Sequence, residues 1–243
     1  MCGRYAASRD AAEIAEVFGA EQLPEVDLPP RFNIPPTTEV YIVFDDAGTR
    51  AVGTARWGLI PSWSSDASRA SKMINARSET VADKPAYRAA FRRRRCLVPA
   101  DGYYEWQVNL VGGTRVKQPF FIHPADGGLL AMAGLFEDWQ GPDGLVRSCT
   151  ILTQEAVGRL AAIHDRMPVF LTHDHWSHWL DPSLGEVQSF LDEVLVENRS
   201  LIDGGHLLSS YPVSTRVNKP TNDDAALVQP VSPGATHEPM FDA

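Results

Sequence analysis

Apolar residues in this chain come in short runs, about four to eight residues long, broken repeatedly by glycine and proline. That rhythm restricts the fold more than any other feature. Such runs are long enough to cross a sheet and too short for long helices. With 18 glycines and 18 prolines in 243 residues, many tight connections are expected. Strands are predicted at Cys2–Ala6, Glu39–Phe44, Ala51–Trp57, Arg95–Pro99, Gly102–Val108, Gln118–His123, Leu129–Phe136, Ser148–Thr153, Pro168–Leu171 and Leu207–Val213. The turn Asp45–Gly48 makes a hairpin of the second and third.

Helical spacing is confined to a few segments. Asp10–Phe18 puts Ile14, Val17 and Phe18 on one face, with Ser8 or Asp10 available as the cap. Short helices are expected at Pro85–Phe91, Asp174–Leu180 and Val187–Val194, and Thr153–Leu160 could start another. Pro24–Pro36 reads as extended and Gly58–Ala76 as mostly loop. Strands do not alternate with long helices, so a doubly wound parallel sheet is excluded. The expectation is an α+β fold: one compact domain of curved, mostly antiparallel sheets with a barrel-like core and peripheral helices. The domain would span residues 2–220, and 221–243 would form a peripheral tail.

The formal net charge is -9, which by itself disfavours nucleic acid. The distribution argues differently. From Arg50 to Lys117 there are 13 Lys or Arg against 5 Asp or Glu. A basic face on an acidic protein suits a small contact with few phosphates; solvated surface arginines are the plain alternative. No stretch reads as a signal peptide or a membrane span, so the expected setting is cytoplasmic.

Three cysteines, Cys2, Cys96 and Cys149, are too few and too scattered for a disulfide scaffold or a zinc knuckle. Cys96 and Cys149 lie in apolar strands and read as core thiols. Cys2 is different. Methionine before a small residue is normally removed, which leaves Cys2 with an amine and a thiol on adjacent carbons. Both have ordinary pKa values near neutrality, about 8 and 8.5. The amine can form a Schiff base with an aldehyde, and the thiol can then close a five-membered thiazolidine. The same residue could serve an amidotransferase or a self-processing hydrolase, or be an ordinary second residue.

Three further segments concentrate reactive residue types: Asn75–Glu79, Pro99–Trp106 and Ile163–Pro168. Glu105 lies among aromatic residues in a strand, where a carboxylate is either paired with an arginine or kept partly protonated for acid–base work. His164 can move protons near neutral pH, or can join Asp165 and Arg166 in a structural ion-pair network. His173, His175 and His178 lie close together beside Trp176 and Trp179. They read as a packed helix end, not a zinc site, and no metal or organic cofactor is implied.

These segments closely resemble the SOS response-associated peptidase (SRAP) family of abasic site processing proteins. The matching pieces begin with Met1-Cys2-Gly3-Arg4-Tyr5, Arg31–Thr37, Arg56–Trp63 and Ile74–Thr80. They continue with Arg94–Trp106, Lys117–Ile122, Ala133–Glu137, Ile163–Pro168 and Pro212–Asn218. The resemblance implies an α+β domain with a positively charged groove for single-stranded DNA containing abasic sites. It implies that Cys2 forms a covalent DNA–protein crosslink, with Asn75, Glu105 and His164 completing the catalytic set. Arg4 and Arg77 would hold phosphates. Trp57 and Trp63 would stack on or wedge between bases, and Asn33 and Pro36 would line the groove. A monomer is expected, nucleoid-associated when bound to damaged DNA, and the sequence names no partner among replication-fork proteins. The alternative is a thiol peptidase with autoproteolytic N-terminal processing, drawn from Cys2, His164 and Glu105.

Overall fold

The computed structural model describes residues 2–231. In chain order the elements are β1 (Tyr5–Ala7), α1 (Ala11–Phe18), β2 (Arg31–Ile34), β3 (Glu39–Asp46), β4 (Thr49–Trp57), β5 (Asn75–Arg77), α2 (Arg88–Arg93), β6 (Arg95–Ala100), β7 (Gly102–Val111), β8 (Thr114–Pro124), β9 (Leu130–Gly141), β10 (Gly144–Glu155), β11 (Arg166–Pro168), α3 (His173–Leu180), α4 (Val187–Asp203) and β12 (Leu208–Pro212).

Five strands close into a barrel in the order β10-β4-β3-β6-β9, with β9 returning to β10. The hairpin pairs are antiparallel, and the closure between β10 and β4 is parallel, with Ser148 opposite Arg56 and Cys149 opposite Trp57. Closure removes the exposed strand edges that an open sheet would carry. The barrel strands are buried on both faces, which is why they appear in the sequence as nearly continuous apolar runs. Val40, Ile42 and Phe44 of β3 join Cys96, Val98, Met132, Phe136, Cys149 and Ile151 in one buried cluster. The alternate residues Tyr41, Val43, Leu97, Ala133, Leu135 and Leu152 join a second cluster with the helices. Helices supply Ile14 and Phe18, Ala90 and Phe91, Trp176 and Trp179, and Leu191 and Val194 to that outer cluster.

Local chemistry explains the helix ends. Asp10 caps α1, its side chain accepting from the Glu13 amide while Glu13 reaches back to the Asp10 amide. Gly19 ends the helix at φ +63, a left-handed conformation that suits glycine. Arg95 is buried, and its guanidinium donates to the carbonyls of Phe91, Arg92, Trp179 and Asp181. One side chain thereby fixes α2 and the end of α3 against β6.

A second, five-stranded sheet in the order β12-β8-β7-β1-β2 packs on the barrel. One of its faces contributes Tyr5, Ile34, Tyr103 and Ile122 to the inner cluster. The other carries Ala6, Tyr104 and Phe121, covered by Val213, Val217 and Leu227. Residues 221–231, part of the expected tail, pack into the domain: Asp223 accepts from the amides of Phe32 and Asn33, and Leu227 is buried. The rest of that tail, 232–243, lies outside the described residues. No helix among the described residues is long and apolar enough to cross a membrane.

Three local expectations are corrected. Thr153–Leu160 does not start a helix. Strand β10 runs through Glu155 because it is paired on both sides, by β5 and by β11. The chain then makes a 3-10 turn over Gly158–Ala162, with Gly158 at φ +55. The strand expected at Pro168–Leu171 lies earlier, at Arg166–Pro168, and Phe170 makes only an isolated bridge to Met132. Helix α4 extends nine residues past Val194 to Asp203, because Asn198 and Ile202 prolong its buried stripe.

Candidate active site at the N-terminal cysteine

Strand β10 organises the site. On one side it pairs in parallel with β5, which sets Asn75 opposite Ile151. On the other it pairs with β11, which sets Arg166 opposite Glu155 and fixes the His164 turn just before it. Arg166 ties these two flanks together. Its guanidinium grips Glu79 through two hydrogen bonds of 2.6 and 3.0 Å and also donates to the Thr153 carbonyl at 2.8 Å. The fork geometry makes this a directional brace across β10. The ion-pair reading of Arg166 therefore holds, and it places His164 instead of replacing it.

The five-stranded sheet brings the other half. Tyr5 of β1 is opposite Tyr103 of β7, so Glu105 shares the inward face with Tyr103. Cys2 lies just before β1 and is fully buried in the inner cluster. Its thiol lies 3.9 Å from the Arg4 carbonyl, to which it donates. Asn75 donates from Nδ2 to the Cys2 carbonyl at 2.9 Å and thereby fixes the backbone from which the Cys2 amine projects. Tyr87, just before α2, donates to the Asn75 carbonyl at 3.3 Å. The Asn75 Oδ1 is buried and accepts no hydrogen bond from a described residue.

Electrostatics follow from burial. Desolvation pushes the Glu105 carboxyl up to about 7, so it is half protonated near neutral pH. Burial also pushes the Cys2 thiol well up, and the charge of Glu105 adds to the effect. His164 moves the other way: burial lowers its pKa and favours the neutral ring. Its Nε2 is 3.8 Å from Glu105 Oε2. Its Nδ1 meets two groups with opposite demands, the Arg166 amide at 3.0 Å and the Asp165 carboxylate at 2.8 Å. The Asp165 side chain is 85% exposed and free to turn to water, whereas the Arg166 amide is fixed by β11. The amide decides the tautomer: Nδ1 accepts, and the proton sits on Nε2 facing Glu105. Cys2, Asn75, Glu105 and His164 thus form one connected group.

The expected DNA contacts divide into two kinds. Arg77 is exposed at the end of β5, two residues from Asn75. Trp63 is 68% exposed, on a loop anchored where Trp139 Nε1 donates to the Ser64 carbonyl at 2.7 Å. Gly58 starts that loop at φ +133, where a Cβ would come within 2.6 Å of the Ala70 carbonyl oxygen. Arg77 and Trp63 are both exposed. Trp57 is not, being fully buried with its Nε1 donating to the Ile74 carbonyl and its ring meeting Tyr5 edge-on. Asn33 is also fully buried; its Nδ2 donates to the carbonyls of Val217, Lys219 and Asn222. Its Oδ1 accepts from Arg4 Nη1 at 2.8 Å, and the same nitrogen reaches the Val217 carbonyl. Asn33 therefore orients Arg4, whose remaining guanidinium nitrogens make no hydrogen bond to another described residue. Pro36 is half-buried, just before Thr37, whose amide donates to the Trp57 carbonyl.

Three contributors were not singled out from the sequence: Tyr87, Glu79 as the partner of Arg166, and Asp223. Glu79 stood in a quoted motif, and its pairing with a distant arginine carries no local signal. Asp223 lies beyond the last motif. Among the described residues, no group of three or more His, Cys, Asp or Glu is arranged to hold a metal.

The site thus joins a buried cysteine, its backbone pinned by the Asn75 amide, to an acid raised toward neutrality. Similarity narrows the class. The chain belongs to the SOS response associated peptidase (SRAP) family, whose profile matches residues 1–220. It is 36% identical to the abasic site processing protein YoqW of Bacillus subtilis (strain 168), covering 94% of this chain and 99% of that one. It is 32% identical to the abasic site processing protein HMCES of Gallus gallus, covering 98% of this chain and 80% of that one. A crystal structure of a Bacteroides thetaiotaomicron protein superposes with a TM-score of 0.78 at 25% identity, over 95% of this chain and all of that one.

Proposed function

We propose that this protein acts on abasic sites in single-stranded DNA and captures them covalently through Cys2 once Met1 has been removed. The observation that carries the reading is the convergence of Asn75, Glu105 and His164 on Cys2. Relatives that match nearly the whole chain bear the name abasic site processing protein, which supports the same substrate.

An abasic deoxyribose is mostly a closed ring, so its aldehyde must first be released. Glu105 in its protonated form donates to the ring oxygen, and the C1′ hydroxyl passes its proton to the Glu105–His164 pair as C1′ becomes a carbonyl, which leaves Glu105 protonated again. The Cys2 amine adds to C1′, and water leaves with a proton supplied by Glu105, giving a protonated Schiff base. The Cys2 sulfur then attacks C1′ while its proton passes to the Glu105–His164 pair. The product is a thiazolidine, and the net change is aldehyde plus aminothiol to ring plus one water. The raised thiol pKa fits this order, because the amine acts first and the sulfur closes an intramolecular ring.

A thiol peptidase needs the reverse, a thiol pKa lowered by its partner so that the thiolate attacks first. Burial and Glu105 both push Cys2 away from that state. Arg4 and Arg77 neutralise the phosphates beside the lesion, and Trp63 covers a neighbouring base face. Trp57, Asn33 and Pro36 shape the same surface from within.

The test is intact-mass analysis of the untagged, mature protein mixed with single-stranded DNA carrying one abasic site. A denaturation-stable adduct that is absent with undamaged DNA and lost in Cys2→Ala is expected. No adduct from protein with confirmed Met1 removal overturns the reading.

A further inference from the structure

Strand β7 continues past Glu105 into a long hairpin with β8, and one face of that hairpin has no role in the reaction. Residues opposite one another on an antiparallel pair share a face. Trp106 is opposite Pro119, Val108 opposite Lys117, and Leu110 opposite Arg115. One face therefore carries a line of apolar side chains, Trp106, Val108 and Leu110, beside two cations. Val108 is 46% and Leu110 74% exposed, and Arg115 and Lys117 are both exposed. Among the described residues neither cation has an ion-pair partner. In a chain of net charge -9, two unpaired cations set against exposed apolar side chains are an arrangement that solubility alone does not explain.

The position of this face indicates what it meets. The Tyr104 amide donates to the Arg4 carbonyl at 2.9 Å, so β1 and β7 run side by side there. Arg4 reaches the Val217 carbonyl and Trp106 Nε1 donates to Asn218 Oδ1 at 2.7 Å, so both abut the same short turn. The line from Arg4 through Trp106 to the hairpin is continuous. On the other face of β7, Gln107 donates to the Ala162 carbonyl at 3.0 Å, which fastens the hairpin to the turn bearing His164.

We propose that the outer face of the β7–β8 hairpin is a second DNA-contacting arm, which receives the single strand as it leaves Arg4. This rests on the abasic-DNA reading above. Arg115 and Lys117 are two residues apart on one strand, about 7 Å, close to the spacing of neighbouring phosphates in an extended single strand. The apolar line beside them suits sugars and base faces, which are sequence-independent surfaces. A duplex presents its bases stacked inside and offers nothing to that line.

The test compares wild type with the Arg115→Ala/Lys117→Ala double variant and with Leu110→Ser. Binding to undamaged single-stranded oligonucleotides, one short and one long, is measured by fluorescence anisotropy across a salt series. Losing two single-strand phosphate contacts lowers the salt slope by about 1.4, roughly 25-fold in affinity for the long oligonucleotide at 0.1 M salt. Leu110→Ser weakens long-oligonucleotide binding with the slope unchanged. Thermal melts check that each variant folds. Wild type should gain affinity with length and the double variant should gain far less. An unchanged slope and affinity in a folded double variant overturn the arm and assign the face to a protein partner, while wild-type crosslinking would leave the site reading intact. Failure of wild type to bind or crosslink DNA at all overturns both.

Discussion

Replacing Glu105 by glutamine separates the chemical role of this residue from its structural cost. The side chain is 3% exposed and its carboxyl is raised from 4.5 to about 7. Between those two values the folded protein holds a proton that the unfolded chain releases. Stability is therefore fully present below about 4.5 and declines as pH rises through 7. A gap of about 2.5 pH units at 1.36 kcal/mol per unit amounts to roughly 3 kcal/mol lost across that window. Glutamine is nearly the same shape and carries no titrating proton, so Glu105→Gln escapes this loss. The variant should gain on wild type by about 3 kcal/mol as pH is raised from 4 to 8.5. For a domain of this size that corresponds to roughly 6–12 °C in Tm. Thermal melts of both proteins over that range read the difference directly. In parallel, crosslinking by Glu105→Gln should slow by about 10²–10⁴-fold, as expected for a missing general acid. The wild-type fall in rate above pH 7 should vanish with it. A difference in Tm that stays constant with pH would refute the reasoning, because the carboxyl would then titrate alike in both states.

Other substitutions test the remaining assignments. Cys2→Ser keeps the amine and loses the sulfur, so borohydride should trap a Schiff base while the stable adduct disappears; equal adduct stability in both proteins would remove the thiazolidine. Trp57→Ala should cost about 3–5 kcal/mol of stability, as for a large buried side chain, read by denaturant unfolding. Trp63→Ala should leave unfolding unchanged and weaken single-stranded DNA binding by about 1–3 kcal/mol, the value of one stacked base. Asn33→Ala removes a donor to three carbonyls and one of the two acceptors of Arg4 Nη1, and should lower stability by about 1–3 kcal/mol while also weakening DNA binding through Arg4.

The barrel strands were legible because each face of each strand is apolar, and closure demands that. Residues such as Val40 to Phe44 and Leu130 to Leu135 cannot satisfy helical amphipathicity and do satisfy a wall buried on both sides. The candidate residues Cys2, Asn75, Glu105 and His164 were picked out by type and motif, and the fold brings them together. What the sequence hid was direction. Trp57 and Trp63 share a motif, yet one points inward and the other into solvent, since Trp57 still belongs to β4 and Trp63 to the loop after it. Asn33 looked like a groove residue, and its amide is consumed by backbone carbonyls that arrive from residues 217–222. The parallel pairings of β10 with β4 and β5 join segments about 75–95 residues apart, and no local pattern announces them. The failed helix at Thr153–Leu160 has the same origin, because pairing on both sides of β10 overrides a weak helical preference.

The double pairing of β10 also bears on how the protein comes into being. The strand that shuts the barrel is the strand from which Asn75 hangs on one side and His164 on the other. Its parallel partners β4 and β5 lie about 75–95 residues away, so their joining is a slow, late step set by loop entropy. Until it happens the Asn75 amide has no fixed position, and an emerging or partly folded chain holds Cys2 without it. The chemistry proposed for an N-terminus made first by the ribosome therefore waits on the last wall of the barrel.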